Sequence, residues 1–423
     1  MRVAVSSTRP VKEAPRVAFS AWANDEDFRA GASKGVAVLS GLHGIAISRA
    51  AGTLDRNSRF GKAEDSWDCS TWTSPVHTLG FGATRLIPSW NAQVPHRTWL
   101  RIEIKAAMQT GTWTPWLIMG DYAFFDTEIS RVSYSPTAEP YGKVETDNFL
   151  TDLEFSVHAY QARVTLCRKR GMSASPRLWG LAVAASAIPP RETIGASAPG
   201  PASREGIELD VPGYSQYVHN GHYEQYGGGG KSWCSATSTQ MVLEYWGVRP
   251  REKCLAWVGT ECQDPQIVFA ARHTYDYRYQ GTGNWAFNTA YASHFGLDGE
   301  VLQLPSTDHL EQLIAHGIPV VTAQAFDKGE IAHADYETTG HLWVVTGFTK
   351  NGDVIVNDPA SPSNSEVRRV LGRRQFENVW LRTFWKRPDG EVRYNPGGIA
   401  YLIRPHGATL PPALDPGNRP WRG

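Results

Sequence analysis

Lys231-Ser232-Trp233-Cys234-Ser235-Ala236-Thr237-Ser238 places a cysteine where a helix is expected to begin. Four glycines, 227–230, lie just upstream. Downstream, apolar Met241, Val242, Tyr245 and Trp246 recur at helical spacing before Gly247, a residue type that ends helices. A thiol in the first turn of a helix meets the positive end of the macrodipole and unpaired backbone N–H groups, which favour the nucleophilic thiolate. Cys234 is therefore read as a nucleophile for covalent catalysis.

A nucleophile of this kind needs a base and a group that orients the base. His341 opens the apolar run His341-Leu342-Trp343-Val344-Val345-Thr346-Gly347, which reads as a strand. Asn351-Gly352 then signals a hairpin, and Val354-Ile355-Val356-Asn357-Asp358-Pro359 returns with Asp358 at its end. A two-residue turn there would pair Asp358 with Val345, leaving it ~13 Å from His341 by strand rise. A bulge or a wider loop is required to close that gap. His333, followed by Ala334-Asp335, is the rival base, although a polar loop rather than a strand follows it.

The wider chain sets limits on function. At 423 residues it is too long for one ordinary core, so two domains are expected. Lys plus Arg equals Asp plus Glu, 42 each, and no basic run stands out, which argues against nucleic acid or an anionic membrane as the main partner. No apolar run of about 18 residues exists to span a bilayer. Residues 1–30 lack the apolar core of a signal peptide, so either the protein is cytosolic or this start omits an export signal. The five cysteines leave at least one thiol free. Cys69 with Cys167 and Cys254 with Cys262 could pair, but isolated cysteines in a large chain are more often unpaired. No C-x-x-C occurs, which disfavours a zinc ribbon.

Residues 1–16 are expected to be disordered. From there the first half reads as all-β: short apolar and β-branched runs at 35–39, 98–104, 113–119, 155–166 and 178–184 lie between turn signals. Residues 99–105 alternate as a strand with one wet face would. A β-sandwich or jelly roll over 17–187 is expected. Its tryptophans, Trp67, Trp72, Trp90, Trp99, Trp113 and Trp116, are expected mainly in the core, with a carbohydrate-binding platform as the alternative. A Pro-, Ala- and Ser-rich stretch, 188–206, reads as a semi-flexible linker. In the second half, helices are expected at 234–246, 266–273, 285–295 and 307–316, then strands at 318–323, 342–348, 353–356 and 399–403. That is an α+β domain over 207–404, followed by a Pro-rich tail, 405–423.

Cysteine on a helix, histidine on a strand and aspartate on the next is the chain order of a papain-like thiol hydrolase. The matching segments are Asp210-Val211-Pro212-Gly213-Tyr214-Ser215-Gln216, Trp233-Cys234-Ser235-Ala236 through Tyr245-Trp246-Gly247, Gly340-His341-Leu342-Trp343-Val344-Val345 and Val356-Asn357-Asp358-Pro359. Together these resemble peptidase family C thirty-nine, whose members cut leader peptides from bacteriocins, and more closely its stand-alone bacterial relatives. The first half resembles, more loosely, the β-sandwich ahead of this domain in some secreted relatives. The resemblance implies a cysteine peptidase acting on a peptide or protein substrate, with Cys234, His341 and Asp358 catalytic and Gln216 donating to the oxyanion. It implies no cofactor. Seventeen residues, 217–233, separate Gln216 from Cys234, longer than the family's usual spacing, which makes Gln225 the fallback donor.

Other readings share parts of this pattern. A transglutaminase-like acyltransferase or an amidase uses the same order of residues. A cell-wall endopeptidase would use the sandwich as an anchor. A catalytically inactive protein would carry a carbohydrate or wall ligand on the sandwich alone. His219, His222 and Glu224 invite a metal site, but without helical spacing a solvated loop is the expectation.

Overall fold

The structure, a computed structural model, describes residues 14–57, 64–412 and 414. Residues 1–13 of the stretch expected to be disordered, and 413 and 415–423 of the tail, lie outside the described residues. Arg16 already pairs with Ala187 in a sheet.

The first half is built of two antiparallel sheets. One is ordered Gly142–Glu145, Asn148–Thr151, Arg85–Gln93, Arg177–Ala187, Ile45–Ile47, Val36–Val38, with Arg16–Trp22 beside Arg177–Ala187. The other runs Val132–Ser133, Leu117–Tyr122, Thr98–Met108, Val157–Lys169, Glu64–Thr73, Ala32–Lys34. Leu86, Trp90 and Val183 from the first share a buried cluster with Leu100, Ile102, Ile104 and Val164 from the second. The alternation of residues 99–105 is real, but their second face is not wet. Arg101 pairs with Asp121 and Glu103 with Arg163, and Trp99 packs there with Trp67. Cys69 and Cys167, opposite each other on neighbouring strands, form a disulfide beside those two rings. Cys254 and Cys262 are free, so the second pairing does not form.

The second half is α+β. Its six-stranded antiparallel sheet is ordered Leu297–Gln303, Ile399–Pro405, Val320–Phe326, Thr338–Phe348, Val354–Asn357, Arg368–Leu371. Successive side chains point to opposite faces, and both faces are covered. Val321, Leu342 and Val344 join helices Cys234–Tyr245, Pro265–Thr274 and Trp285–His294. Val320, Trp343 and Val345 join Thr307–Ala315 and Arg373–Leu381, a helix the sequence reading left unassigned.

Two expectations about connections change. The stretch 188–206 is not a free spacer. Ile194 N–H donates to Asn378, Ser197 N–H to Glu377, and Gly200 and Ser203 N–H to Glu311, while residues Pro201–Glu205 form a short helix. Two buried carboxylates and the Asn378 amide oxygen of the second domain thus satisfy the backbone donors of a segment that has no sheet to join. The two halves also share an extensive interface. Gly299 and Val301 N–H on the edge strand Leu297–Gln303 donate to Asn91 and Ser89, and Phe287 sits between Trp90 and Tyr122. An edge strand that would otherwise offer bare backbone donors is covered.

Candidate active site

The helix Cys234–Tyr245 begins at the cysteine, as its sequence implies, and ends with Trp246 before Gly247 at φ 72°. Its axis packs on the central strand, where Ser238 Oγ donates to the Leu342 carbonyl at 3.2 Å. Trp233, fully buried, anchors the residue before Cys234 by donating from Nε1 to the Tyr226 carbonyl.

The hairpin register departs from the two-residue turn. Thr349 N–H donates to the Asp353 carbonyl, so the loop is wider, and a bulge lies between Val345 and Gly347. Each irregularity moves the returning strand one residue, until Val344 faces Asn357. The strand end is thereby two residues nearer to His341, and Asp358, just past the last paired residue, makes the contact: His341 Nε2 lies 2.7 Å from Asp358 Oδ1. Asp358 Oδ1 also accepts from Ala360 N–H at 2.9 Å. His333, the rival base, contacts the same aspartate but does not line the cleft with Cys234. Its Nε2 lies 2.8 Å from the other carboxylate oxygen, so two imidazoles hold one aspartate.

Burial by itself would lower the basicity of His341. The Asp358 charge and hydrogen bond outweigh that, neighbouring Cys234 adds to them, and the imidazole is held above its ordinary value of 6.5. Burial likewise disfavours the Asp358 carboxylate, but His341 and His333 draw it well below the usual range. The rings of Phe326, Tyr336 and Trp343 stand edge-on around His341, walling the ion pair from water.

The seventeen-residue insertion folds back through two 3-10 turns, Tyr217–His219 and Gly229–Ser232. A Cβ on Gly230 would lie 2.2 Å from the Gln216 carbonyl oxygen, so only glycine permits this approach. Gln216 N–H is fixed to the Pro359 carbonyl, one residue past Asp358. Its side-chain Nε2 donates one hydrogen to the Lys231 carbonyl at 3.0 Å, leaving the second for another acceptor. Gln216, Cys234 and His341 line one cleft; Gln225 is exposed and outside it.

That cleft, about 1240 Å³, also has a wall that the sequence did not reveal. Arg85, Asp147, Asn148 and Leu150 of the first domain face Tyr279, Trp285 and Thr338 of the second. Burial pushes the Asp147 carboxyl up to about 7, against hydrogen bonds from Trp285 N–H and Asn148. Nothing in the spacing of residues 85–151 singles them out as site residues, because they reach the cleft only through docking of the two halves. Four of the six tryptophans behave as core: Trp67, Trp72, Trp90 and Trp99 are at most 2% exposed, whereas Trp113 and Trp116 are half-buried, with Lys105 and Arg163 over their rings.

With this geometry in hand, residues 208–384 match the model of the Peptidase_C39 like family, and residues 18–186 match that of the Peptidase C39 N-terminal domain. A search of curated proteins finds no match.

Proposed function

We propose that this chain, which belongs to the Peptidase_C39 like group and carries that group's N-terminal domain, hydrolyses peptide bonds through a thioester on Cys234. The observation that carries the reading is the 2.7 Å contact of His341 with Asp358 in the cleft that also exposes the helix-start cysteine. The helix packed on an antiparallel sheet, with histidine on one strand and aspartate just past the end of the next, supports a papain-like arrangement.

His341 spends Nε2 on Asp358, so Nδ1 is the nitrogen left for the thiol. In the proposed sequence the Cys234 thiolate attacks the carbonyl carbon and the C–S bond forms. The free hydrogen of Gln216 Nε2 and the Cys234 N–H receive the oxyanion. His341 then gives its proton to the leaving amine as the C–N bond breaks. Water, deprotonated by His341, cleaves the thioester, and the acid product leaves with the thiol restored.

The first domain is read as a wall of the substrate cleft. Trp67, Trp72, Trp90 and Trp99 are interior, and the half-buried Trp113 and Trp116 rings carry Lys105 and Arg163, so the aromatic faces give little support to a sugar platform. The Cys69–Cys167 bridge supports maturation in an oxidising compartment.

The test is incubation with a diverse peptide library, with and without an added primary amine, read by mass spectrometry. Hydrolysed peptides lost in Cys234→Ala and His341→Ala are expected. Amine adducts in place of acids would move the assignment to acyl transfer. Equal labelling of Cys234 by a thiol-reactive peptide probe after His341→Ala would refute the ion pair.

A further inference from the structure

The loop expected to be solvated, 219–224, instead buries a cluster of metal-type ligands. His219, His222 and Cys262 each offer a donor atom, and these atoms all lie within 4.8 Å of one another. Cys262 Sγ and His222 Nδ1 are 3.4 Å apart, and Glu261 Oε1 lies 4.0 Å from the same sulfur. Glu224, the third residue suggested by the sequence, is exposed and outside the group. A tetrahedral zinc ion with Zn–N of ~2.0–2.1 Å and Zn–S of ~2.3 Å spaces its ligand atoms roughly 3.3–3.6 Å apart, within a small closure of what is observed.

A second observation points the same way. His219 is fully buried, yet neither ring nitrogen has a hydrogen-bond partner. An imidazole with two orphaned nitrogens is an anomaly in a protein interior, where buried polar groups find partners. Coordination of one nitrogen by a cation supplies the missing partner.

We propose that His219, His222 and Cys262 bind one zinc ion, with the fourth position taken by water. The thiol enters as thiolate, so binding releases one proton to solvent. Two imidazoles and a thiolate form a borderline donor set that suits zinc. The ion would tie the inserted loop to the segment after the helix Glu252–Leu255. His219 N–H already donates to the Gln216 carbonyl, so the staple would hold the proposed oxyanion donor against Cys234. The binding stands without the peptidase reading; only its consequence for turnover rests on that reading.

The test uses the full chain without a histidine tag, in a Cys234→Ala background so that the cleft thiol cannot contribute. Zinc measured by mass spectrometry after desalting should approach one ion per chain. Cobalt substitution should give a thiolate-to-cobalt charge-transfer band in the near ultraviolet. Cys262→Ser, which keeps the side-chain shape, should lose that band and weaken zinc binding at least ~10-fold, as should His222→Ala. Circular dichroism checks that each variant is folded. Zinc well below stoichiometry with no cobalt band, or a band unchanged in Cys262→Ser, overturns the site. In the unsubstituted chain, chelation should lower turnover and zinc should restore it. Full turnover after demonstrated removal of zinc overturns the positioning role. Zinc binding in a chain that hydrolyses nothing would instead sink the peptidase reading.

Discussion

His341 and Asp358 set opposite pH limits on the site. His341 is held above 6.5 by Asp358 against the effect of burial, so its contribution to stability is full below 6.5 and is lost as pH rises through the higher folded value. Asp358 is depressed, so its contribution is present above its ordinary value of 3.8 and is lost as pH falls through the folded value. The alkaline limb of kcat/KM is accordingly expected well above pH 6.5. In Asp358→Asn only Cys234 is left to oppose the effect of burial on His341, so that limb should move down and the rate should fall by about 10²–10⁴-fold. A limb that stays in place would show that Asp358 does not hold the proton on His341. Gln216 makes a separate prediction. Truncating Gln216→Ala removes a donor aimed at the oxyanion and should lower kcat by about 100–1000-fold with little change in KM, measured by steady-state kinetics on a cleaved peptide.

The individual elements owe their placement to a few irregularities and buried charges. The bulge after Val345 aligns two strands that would otherwise hold His341 and Asp358 apart. On the other side of the sheet, Glu311 is the fastener. It accepts from Gly200 N–H, Ser203 N–H and Oγ, and Arg373 Nη1, and so fixes the segment 188–206 to the helices Thr307–Ala315 and Arg373–Leu381. Arg373 itself is 6% exposed. Glu311→Ala would remove the nearer of its two buried carboxylates, leaving Glu377 at 3.5 Å, and would orphan the Gly200 and Ser203 N–H groups, so it is expected to destabilise the protein by about 1–3 kcal/mol in urea unfolding. A loss under about 1 kcal/mol would mean that the pair is solvated in practice.

At the scale of the molecule, the interface between the halves builds the cleft as well as a shared core. Phe287, on the helix Trp285–His294, is 1% exposed between Trp90 and Tyr122. Two residues before it, Trp285 N–H donates to Asp147 of the first domain at 2.7 Å. Phe287→Ala should cost about 3–5 kcal/mol of stability by opening a cavity at this junction. Because the same helix positions the Asp147 wall, KM for peptides is expected to rise more than kcat falls, a split that steady-state kinetics on the folded variant would read. Equal losses in both would argue that the first domain supports the fold without touching substrate.

The sequence by itself determined the local elements and the order of the chemistry. Helical spacing from Met241 to Trp246 and the stop at Gly247 define the helix that begins at Cys234, and the apolar run after His341 defines its strand, because both signals are written in neighbouring residues. Chain order nominated Cys234, His341 and Asp358, and the family resemblance nominated Gln216; in the fold Gln216 N–H donates to the Pro359 carbonyl, and Gln216, Cys234 and His341 line one cleft. Only the tertiary structure decided the distances. A wider loop and a one-residue bulge have no local signature, yet together they shift the register by two residues towards the 2.7 Å contact. The docking of Asp147, the strapping of 188–206 by Glu311, and the meeting of His219 with Cys262 each join residues far apart in the chain. Such contacts depend on how complementary surfaces pack, and no periodicity within one segment encodes its partner.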